Sequence, residues 1–284
     1  MNIGIRLHDL DGQGLEGKLN SAQTLGFTCV HLALSKVEPG FSMEDAPITL
    51  TEEYAKTVRE KLERYGQQAA VLGCYLNLAT PDMEELKRTV DCYIAHLRFA
   101  AKIGAKMVGT ETGAPNTGDT QTEECFTEEA LHLFVDRLRP VAEVAQDVGV
   151  PIAIEPVCRH IVHTPQKARQ VLDALQSPYC KIILDPVNLL NEQNVKRQKE
   201  IFSEAIALLG KDVLAVHWKD YLLRDGELQS VAGGMGEMAG ESVLRFLAQH
   251  EQMPVTLEDT QPGNAGATRA LLAAQLTAMA GDIS

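Results

Sequence analysis

Short apolar runs alternate with longer amphipathic segments along the whole chain. The runs are nearly free of polar interruptions, which is typical of strands in a parallel sheet covered on both faces. Each is bounded by polar or glycine-containing stretches, so we expect separate strands. They span residues 2–8, 29–34, 68–77, 105–113, 151–157, 180–188, 213–221 and 254–260.

The segments between these runs have the spacing and the ends of helices. Residues 51–66 begin at a threonine suited to cap a helix and end at a glycine suited to stop one. Residues 80–104 and 127–149 carry apolar positions at helical spacing and also end at glycine. Pro140 predicts a kink or break in the second of these. Residues 268–280 are rich in Ala and Leu and favour a helix by propensity.

Eight strand–helix units predict a (β/α)8 TIM barrel formed by residues 1–284 as a single domain. Such barrels are typically about 250 residues long, close to the 284 residues of this chain. A doubly wound parallel sheet is the rival arrangement. Eight consecutive units without an interrupting domain favour the barrel.

Four of the predicted strands have a polar side chain near their carboxyl end. These are Glu155 in "PIAIEPV", Asp185 in "KIILDPVN", His217 in "VLAVHWKD" and Glu258 in "PVTLEDT". They are 30, 32 and 41 residues apart, each about one unit of a barrel. Because active sites of barrels lie at the carboxyl ends of the strands, we expect the four to share one site.

A divalent metal would explain why three carboxylates converge there. Carboxylates buried together repel one another, and a cation removes that cost. Three carboxylates and one imidazole suit Mn²⁺, Mg²⁺, Co²⁺ or Zn²⁺. Taken singly, a glutamate at a strand end is more often a solvated rim residue, and a histidine in an apolar strand a core residue. Four at matched positions favour one bound metal.

Composition narrows the class of partner. The chain has 26 Lys and Arg against 39 Asp and Glu, a formal net charge of −13, which disfavours nucleic acid. The six cysteines lack CxxC spacing, as in reduced cytosolic proteins, so we expect a cytoplasmic location. No apolar run has the length of a membrane span. Helices of barrels often pair, so a homo-oligomer is left open.

The segments "IAIEP", "IILDPVN", "VHWKD", "VAGGMGE" and "PVTLED", in this order, resemble the xylose isomerase-like barrels of the sugar isomerase and epimerase superfamily. The resemblance spans nearly the whole chain. It implies that Glu155, Asp185, His217 and Glu258 bind one divalent metal. The epimerase branch further implies that Glu155 and Glu258 are the catalytic acid and base.

Three positions depart from the pattern of the known 3-epimerases. Ile161, Asn188 and Leu223 stand where that pattern has substrate-binding Glu, His and Arg residues. The metal centre is therefore expected to be kept and the substrate contacts to differ. Other polar residues at strand ends are candidates for those contacts: Asn188, Lys219, Glu111, Arg159, Asn77 and His8.

The resulting hypothesis is a metal-dependent isomerase or epimerase that acts on a small-molecule sugar or sugar phosphate through an enediolate. A glutamate on each face of the substrate would give epimerisation, and a single base would give aldose–ketose isomerisation. An inosose or polyol dehydratase and a non-catalytic sugar-binding barrel remain alternatives. The apurinic-site endonucleases of the same fold need histidines that the sequence lacks at Asn188 and after strand seven.

Two glycine-rich stretches are weaker signals. Gly12, Gly14 and Gly17 form a G-x-G-x-x-G pattern, but the next strand lacks the acidic end that a dinucleotide site requires. The stretch "VAGGMGEMAG" follows strand seven, where barrels often bind phosphate, yet it contains no Lys or Arg. A tight turn or a flexible lid explains it equally well.

Overall fold

A computed structural model describes residues 1–283 and confirms the (β/α)8 barrel. Strands β1 to β7 and β9 form a closed ring in which each strand runs parallel to its neighbours. The ring closes where β6 pairs with β7 and β9 pairs with both β7 and β1. The strands are β1 (Asn2–Arg6), β2 (Cys29–Leu32), β3 (Gln68–Gly73), β4 (Val108–Thr110), β5 (Ile152–Ile154), β6 (Cys180–Leu184), β7 (Val213–Arg224), β8 (Glu227–Ala232) and β9 (Pro254–Leu257).

Helices cover the outside of the ring. Their ends match the sequence signals: Thr51 and Thr127 cap α4 and α6 through their side chains, and Gly104 and Gly149 end α5 and α6 in the left-handed conformation. The helices are α1 (Gly14–Thr24), α2 (Leu34–Val37), α3 (Ala46–Thr49), α4 (Glu52–Arg64), α5 (Met83–Ile103), α6 (Glu128–Val148), α7 (Pro165–Leu175), α8 (Gln198–Leu209), α9 (Glu241–Gln249) and α10 (Ala265–Ile283).

The expected break at Pro140 does not occur, because α6 runs without interruption from Glu128 to Val148. Proline removes one backbone hydrogen bond of the helix, to the carbonyl four residues earlier. Pro140 is exposed, so water can bond that carbonyl in place of the missing N–H.

Strand β7 is longer than predicted and continues into a hairpin that was not predicted from the sequence. Beyond the barrel it pairs antiparallel with β8, from Lys219 opposite Ala232 to Arg224 opposite Glu227. Asp225 and Gly226 form the turn and both have positive φ, 52° and 85°, which is the signature of an Asp-Gly hairpin. The eighth barrel strand is therefore β9.

The apolar side chains form an inner and an outer layer. A small inner cluster fills the barrel below the site, while the larger outer cluster lies between the strands and the helices. The inner layer contains Val71, Met107, Ala153, Ile183 and Ala215. The polar site is therefore built on a packed floor.

The glycine pattern at residues 12–17 has a structural explanation. Gly12 has a φ of +122°, and a Cβ on it would collide with the backbone of Gly17 at the start of α1. Close packing of this turn against the helix accounts for both glycines without a dinucleotide. In the part of the chain that the structure describes, no helix has the length and hydrophobicity to cross a membrane.

Candidate active site

The four side chains predicted from the strand ends meet at one point. Nδ1 of His217 lies 3.2 Å from Oε2 of Glu155 and 3.3 Å from Oε1 of Glu258. Glu155, Asp185 and His217 each offer one ligand atom, and these atoms lie within 4.8 Å of one another. All four residues are buried. Strands that are far apart in sequence thus present a compact acidic cluster around one imidazole.

The local backbone explains how these side chains are held. Glu155, Asp185 and Glu258 each directly follow the last residue of β5, β6 and β9. Oδ1 of Asp185 accepts hydrogen bonds from the N–H groups of Val187, at 2.9 Å, and Asn188, at 3.0 Å. These bonds fix the carboxylate and leave Oδ2 directed elsewhere.

Cations surround the carboxylates. Nζ of Lys219 is 2.9 Å from Oδ2 of Asp185 and 3.4 Å from Oε2 of Glu258. Nη1 of Arg6 also lies 3.4 Å from Oε2 of Glu258. Without a metal, these groups offset part of the negative charge that burial makes costly.

The protonation of the cluster follows from its charges. Burial alone would lower the pKa of His217, but Glu258 and Glu155 outweigh it and raise that pKa to about 9. Burial raises the pKa of Asp185 to about 6, although Lys219 opposes the change. For Glu258, His217 and Lys219 overcome the effect of burial and hold the pKa well below its usual value. In the metal-free protein a protonated imidazole therefore sits between two carboxylates.

The donor set fits a divalent metal. Among residues 1–283, Nε2 of His217 is buried without a hydrogen-bond partner, whereas Nδ1 of His217 and Oδ2 of Asp185 form ion pairs with neighbouring charged side chains. Buried polar atoms are rarely left without partners in folded proteins. Carboxylate oxygens and an imidazole nitrogen are the ligands of Mn²⁺, Mg²⁺, Co²⁺ and Zn²⁺, as the sequence suggested.

A cavity of about 560 Å³ opens above this cluster. Nδ2 of Asn188 donates to Oε1 of Glu155 at 2.7 Å, and Oε2 of Glu111 lies 3.3 Å from Nδ1 of His160. Burial, and next the charge of Glu155, raise the pKa of Glu111 to about 8. Five of the six predicted substrate residues line the cavity: Asn188, Lys219, Glu111, Arg159 and His8.

Asn77, the sixth predicted contact, is not among the lining residues. Its Nδ2 donates to the carbonyl oxygens of Ala114, at 2.8 Å, and Asn116, at 3.2 Å. Its Oδ1 accepts from the N–H of Ala79 at 2.8 Å. Asn77 thus ties the loop after β3 to the loop after β4.

Three residues that contact the four clustered side chains were not found from the sequence. His31 stacks on His217 with ring centroids 5.0 Å apart and lies 3.4 Å from Oε1 of Glu258. The hydroxyl of Tyr75 is 3.4 Å from His31 and 3.5 Å from Glu155. Arg6 is the third. His31 could have been noticed as a polar residue inside an apolar run. It was missed because β2 was predicted to end two residues beyond its true end at Leu32, so His31 did not appear to lie near the end of the strand.

The glycine-rich loop after β8 is organised by a carboxylate of the protein. Asp220 accepts hydrogen bonds from the N–H groups of Gly234, at 3.1 Å, Gly236, at 3.0 Å, and Met238, at 2.8 Å. Loops that bind phosphate use such N–H groups for the ligand. Here they are already occupied, so the loop is a turn built around Asp220.

The fold and the site define a (β/α)8 barrel with an acidic, cation-lined centre at the carboxyl ends of its strands. The chain belongs to the xylose isomerase-like TIM barrel family, whose model matches residues 19–276. The family predicted from the sequence is thereby confirmed. The comparison with curated proteins gave no match.

Solved structures of the same fold cover nearly the whole chain. A D-tagatose 3-epimerase-like protein is 17% identical, with a TM-score of 0.78 and 100% of both chains covered. The 3-keto-D-glucoside 4-epimerase from E. coli, in its apo form, is 16% identical, with a TM-score of 0.73, covering 96% of this chain and 99% of that one. The IolI protein with a bound zinc atom is 17% identical, with a TM-score of 0.67, covering 100% and 98%.

Proposed function

We propose that this protein is a divalent-metal-dependent isomerase or epimerase of a sugar or sugar phosphate. The observation that carries the proposal is the contact of Glu155 and Glu258 with the same nitrogen of His217, at 3.2 and 3.3 Å, at the floor of the cavity. Family membership and the epimerases among the similar folds support it.

Glu155, Asp185, His217 and Glu258 would hold the metal. The ion would supply Lewis-acid polarisation of a substrate carbonyl and charge stabilisation of the adjoining oxygen. The buried Nε2 of His217, which has no hydrogen-bond partner among residues 1–283, supports this assignment. Mn²⁺, Mg²⁺, Co²⁺ and Zn²⁺ all suit the donors, and the IolI protein, which has a similar fold, was solved with a bound zinc atom.

The two glutamates would transfer protons at the substrate carbon. They follow β5 and β9, which are not neighbours in the ring, and approach His217 from separate strands. One carboxylate would remove a proton from one face, and the other would return one to the opposite face, which is epimerisation. If only one of them reaches the carbon, the same chemistry gives aldose–ketose isomerisation.

Other lining residues would bind and orient the substrate. The amide of Asn188 holds Oε1 of Glu155 and so sets the direction of that carboxylate. The ammonium of Lys219 can hydrogen-bond a substrate oxygen while it offsets Asp185. Arg159 brings a further positive charge to the cavity.

The first test is metal content by elemental analysis of the wild type and two variants, Asp185→Ala and Asp147→Ala. Asp147 lies on the exposed face of α6 and serves as the matched control. We expect Asp185→Ala to lose one equivalent of divalent metal that the wild type and Asp147→Ala retain. Equal metal content in all three proteins would refute the assigned centre.

The reaction is then tested with ketoses, sugar phosphates and inososes in D₂O. An isomerase or epimerase incorporates deuterium at the reacting carbon, and Glu155→Gln and Glu258→Gln should each abolish it. Loss of water, with the absorbance of a new enol or dione, would identify a dehydratase instead. Saturable binding without exchange or dehydration would identify a sugar-binding barrel.

A further inference from the structure

A second cluster of metal-ligating side chains lies outside the barrel, between β3 and α5. Cys74 directly follows β3, while Cys92 and His96 are one turn apart on α5. All three are buried, with exposed fractions of 0%, 2% and 0%. Tyr75 lines the cavity, whereas Sγ of Cys74 contacts Cys92 on the helix.

The distances within this cluster suit tetrahedral coordination. Bonds of about 2.3 Å to sulfur and about 2.0 Å to nitrogen put two sulfur ligands about 3.8 Å apart, and sulfur and nitrogen about 3.5 Å apart. The Sγ atoms of Cys74 and Cys92 are 4.0 Å apart, and Sγ of Cys92 is 3.5 Å from Nδ1 of His96. All three ligand atoms lie within 4.8 Å of one another.

The charges of these donor groups also suit a divalent metal ion. Thiolates are the form of cysteine that binds metal. Two thiolates, a neutral imidazole and a divalent ion sum to zero charge, so the loaded cluster could remain buried at low cost.

We propose that Cys74, Cys92 and His96 bind one thiophilic divalent cation of the Zn²⁺ type, separate from the carboxylate centre. Coordination through Nδ1 would replace its 2.8 Å contact with the carbonyl oxygen of Cys92. The carbonyl oxygen of Met43 lies 3.3 Å from Sγ of Cys92 and is an oxygen donor at hand for the fourth position. Thiolate and imidazole ligands select zinc over the hard cations.

Such an ion would act as a structural brace behind the active site. It would join the end of β3, helix α5 and the loop that carries Met43. Tyr75, next to Cys74 in the chain, contacts both His31 and Glu155. The ion would therefore fix one wall of the cavity without touching substrate.

Thiolate-to-metal charge-transfer absorbance distinguishes metal bound at this site from metal bound at the carboxylate centre, because the carboxylate centre has no sulfur ligand. Metal-free wild type, refolded if the buried site does not load directly, is titrated with Co²⁺ and Cd²⁺. We expect one equivalent to give the thiolate band in the wild type, in Asp185→Ala and in Cys180→Ser. Cys180 is a buried cysteine outside the cluster and serves as the control.

Cys92→Ser should abolish the band, and His96→Gln should weaken metal binding at least tenfold. If the serine variant does not fold, the His96→Gln result tests the proposal. No band in the wild type with either metal would overturn the proposal. A band that survives in both Cys74→Ser and Cys92→Ser would do the same, as would a Cys74–Cys92 disulfide that forms in place of metal binding. Because Asp185→Ala keeps the band, a failure here is distinguishable from a failure of the carboxylate centre.

Discussion

Asn188 and Glu155, which follow neighbouring strands β6 and β5, are joined by a hydrogen bond of 2.7 Å from Nδ2 to Oε1. The backbone N–H of the same asparagine donates to Oδ1 of Asp185 at 3.0 Å. One residue thus orients two of the four residues assigned to the centre. These two hydrogen bonds suit Asn188 to a positioning role.

Asn188→Ala should lower kcat about 10- to 100-fold, the usual effect of removing a partner that orients a ligating carboxylate. Metal affinity should fall with it, because Glu155 loses its fixed direction. Activity and metal titration are measured beside Gln193→Ala, an exposed change in the same loop. If both variants behave like the wild type, Asn188 does not position Glu155.

Lys219→Met should destabilise the metal-free protein more than the metal-loaded one. Removing one partner of a buried ion pair costs about 3 kcal/mol, because Asp185 and Glu258 would keep uncompensated charge. A bound divalent ion would neutralise the same carboxylates. Denaturant unfolding with chelator and with Mn²⁺ gives the comparison, and exposed Lys87→Met is the control. An equal loss in both conditions would show that metal and ammonium do not share these carboxylates.

Asp220→Asn should loosen the glycine-rich loop at residues 233–240. The amide replaces a carboxylate that accepts three backbone hydrogen bonds from this loop, for which we expect a loss of about 2 kcal/mol in the free energy of unfolding. Limited proteolysis should then cut within the loop. Asp225→Asn, at the exposed turn with positive φ that asparagine tolerates, should change neither measurement. Resistance of Asp220→Asn to protease would contradict the account of this loop.

Glu111→Gln should make stability less dependent on pH. The pKa of Glu111 is raised from 4.5 to about 8 in the folded protein, so between these values the folded state holds a proton that the unfolded state has lost. The wild type therefore loses stability as pH rises through this window, and the variant lacks that loss. Unfolding of the metal-free proteins at pH 5 and pH 8 should show the variant gaining relative to the wild type, by a few kcal/mol at most. If the difference in stability between variant and wild type is the same at pH 5 and pH 8, Glu111 is not the group that titrates in this range.

The sequence predicted the site best where a polar residue follows an apolar run. Glu155, Asp185 and Glu258 each stand one residue past a strand, so alternation and spacing were sufficient to locate them. The role of Asn77 could not be predicted in this way, because the hydrogen bonds of its side-chain amide depend on the fold of a loop that is distant in the sequence. To predict that His31 and Tyr75 belong to the site, the true ends of their strands must be known. Those ends are determined by the register of each strand with its neighbours. The β7–β8 hairpin was missed although Asp225-Gly226 is a turn signal, because β7 continues past the barrel without a break that would mark its end.

The closure of the ring by β9 has a consequence for biosynthesis. β1 pairs with β9 from Asn2 opposite Pro254 to Ile5 opposite Leu257, and Arg6 reaches Glu258 only across that junction. Contacts so distant in sequence form late, because the intervening chain must first be ordered. A nascent chain on the ribosome that has not yet released β9 has neither a closed barrel nor its second glutamate. The residues proposed to form the active centre are therefore completed by the same folding event that closes the ring of strands.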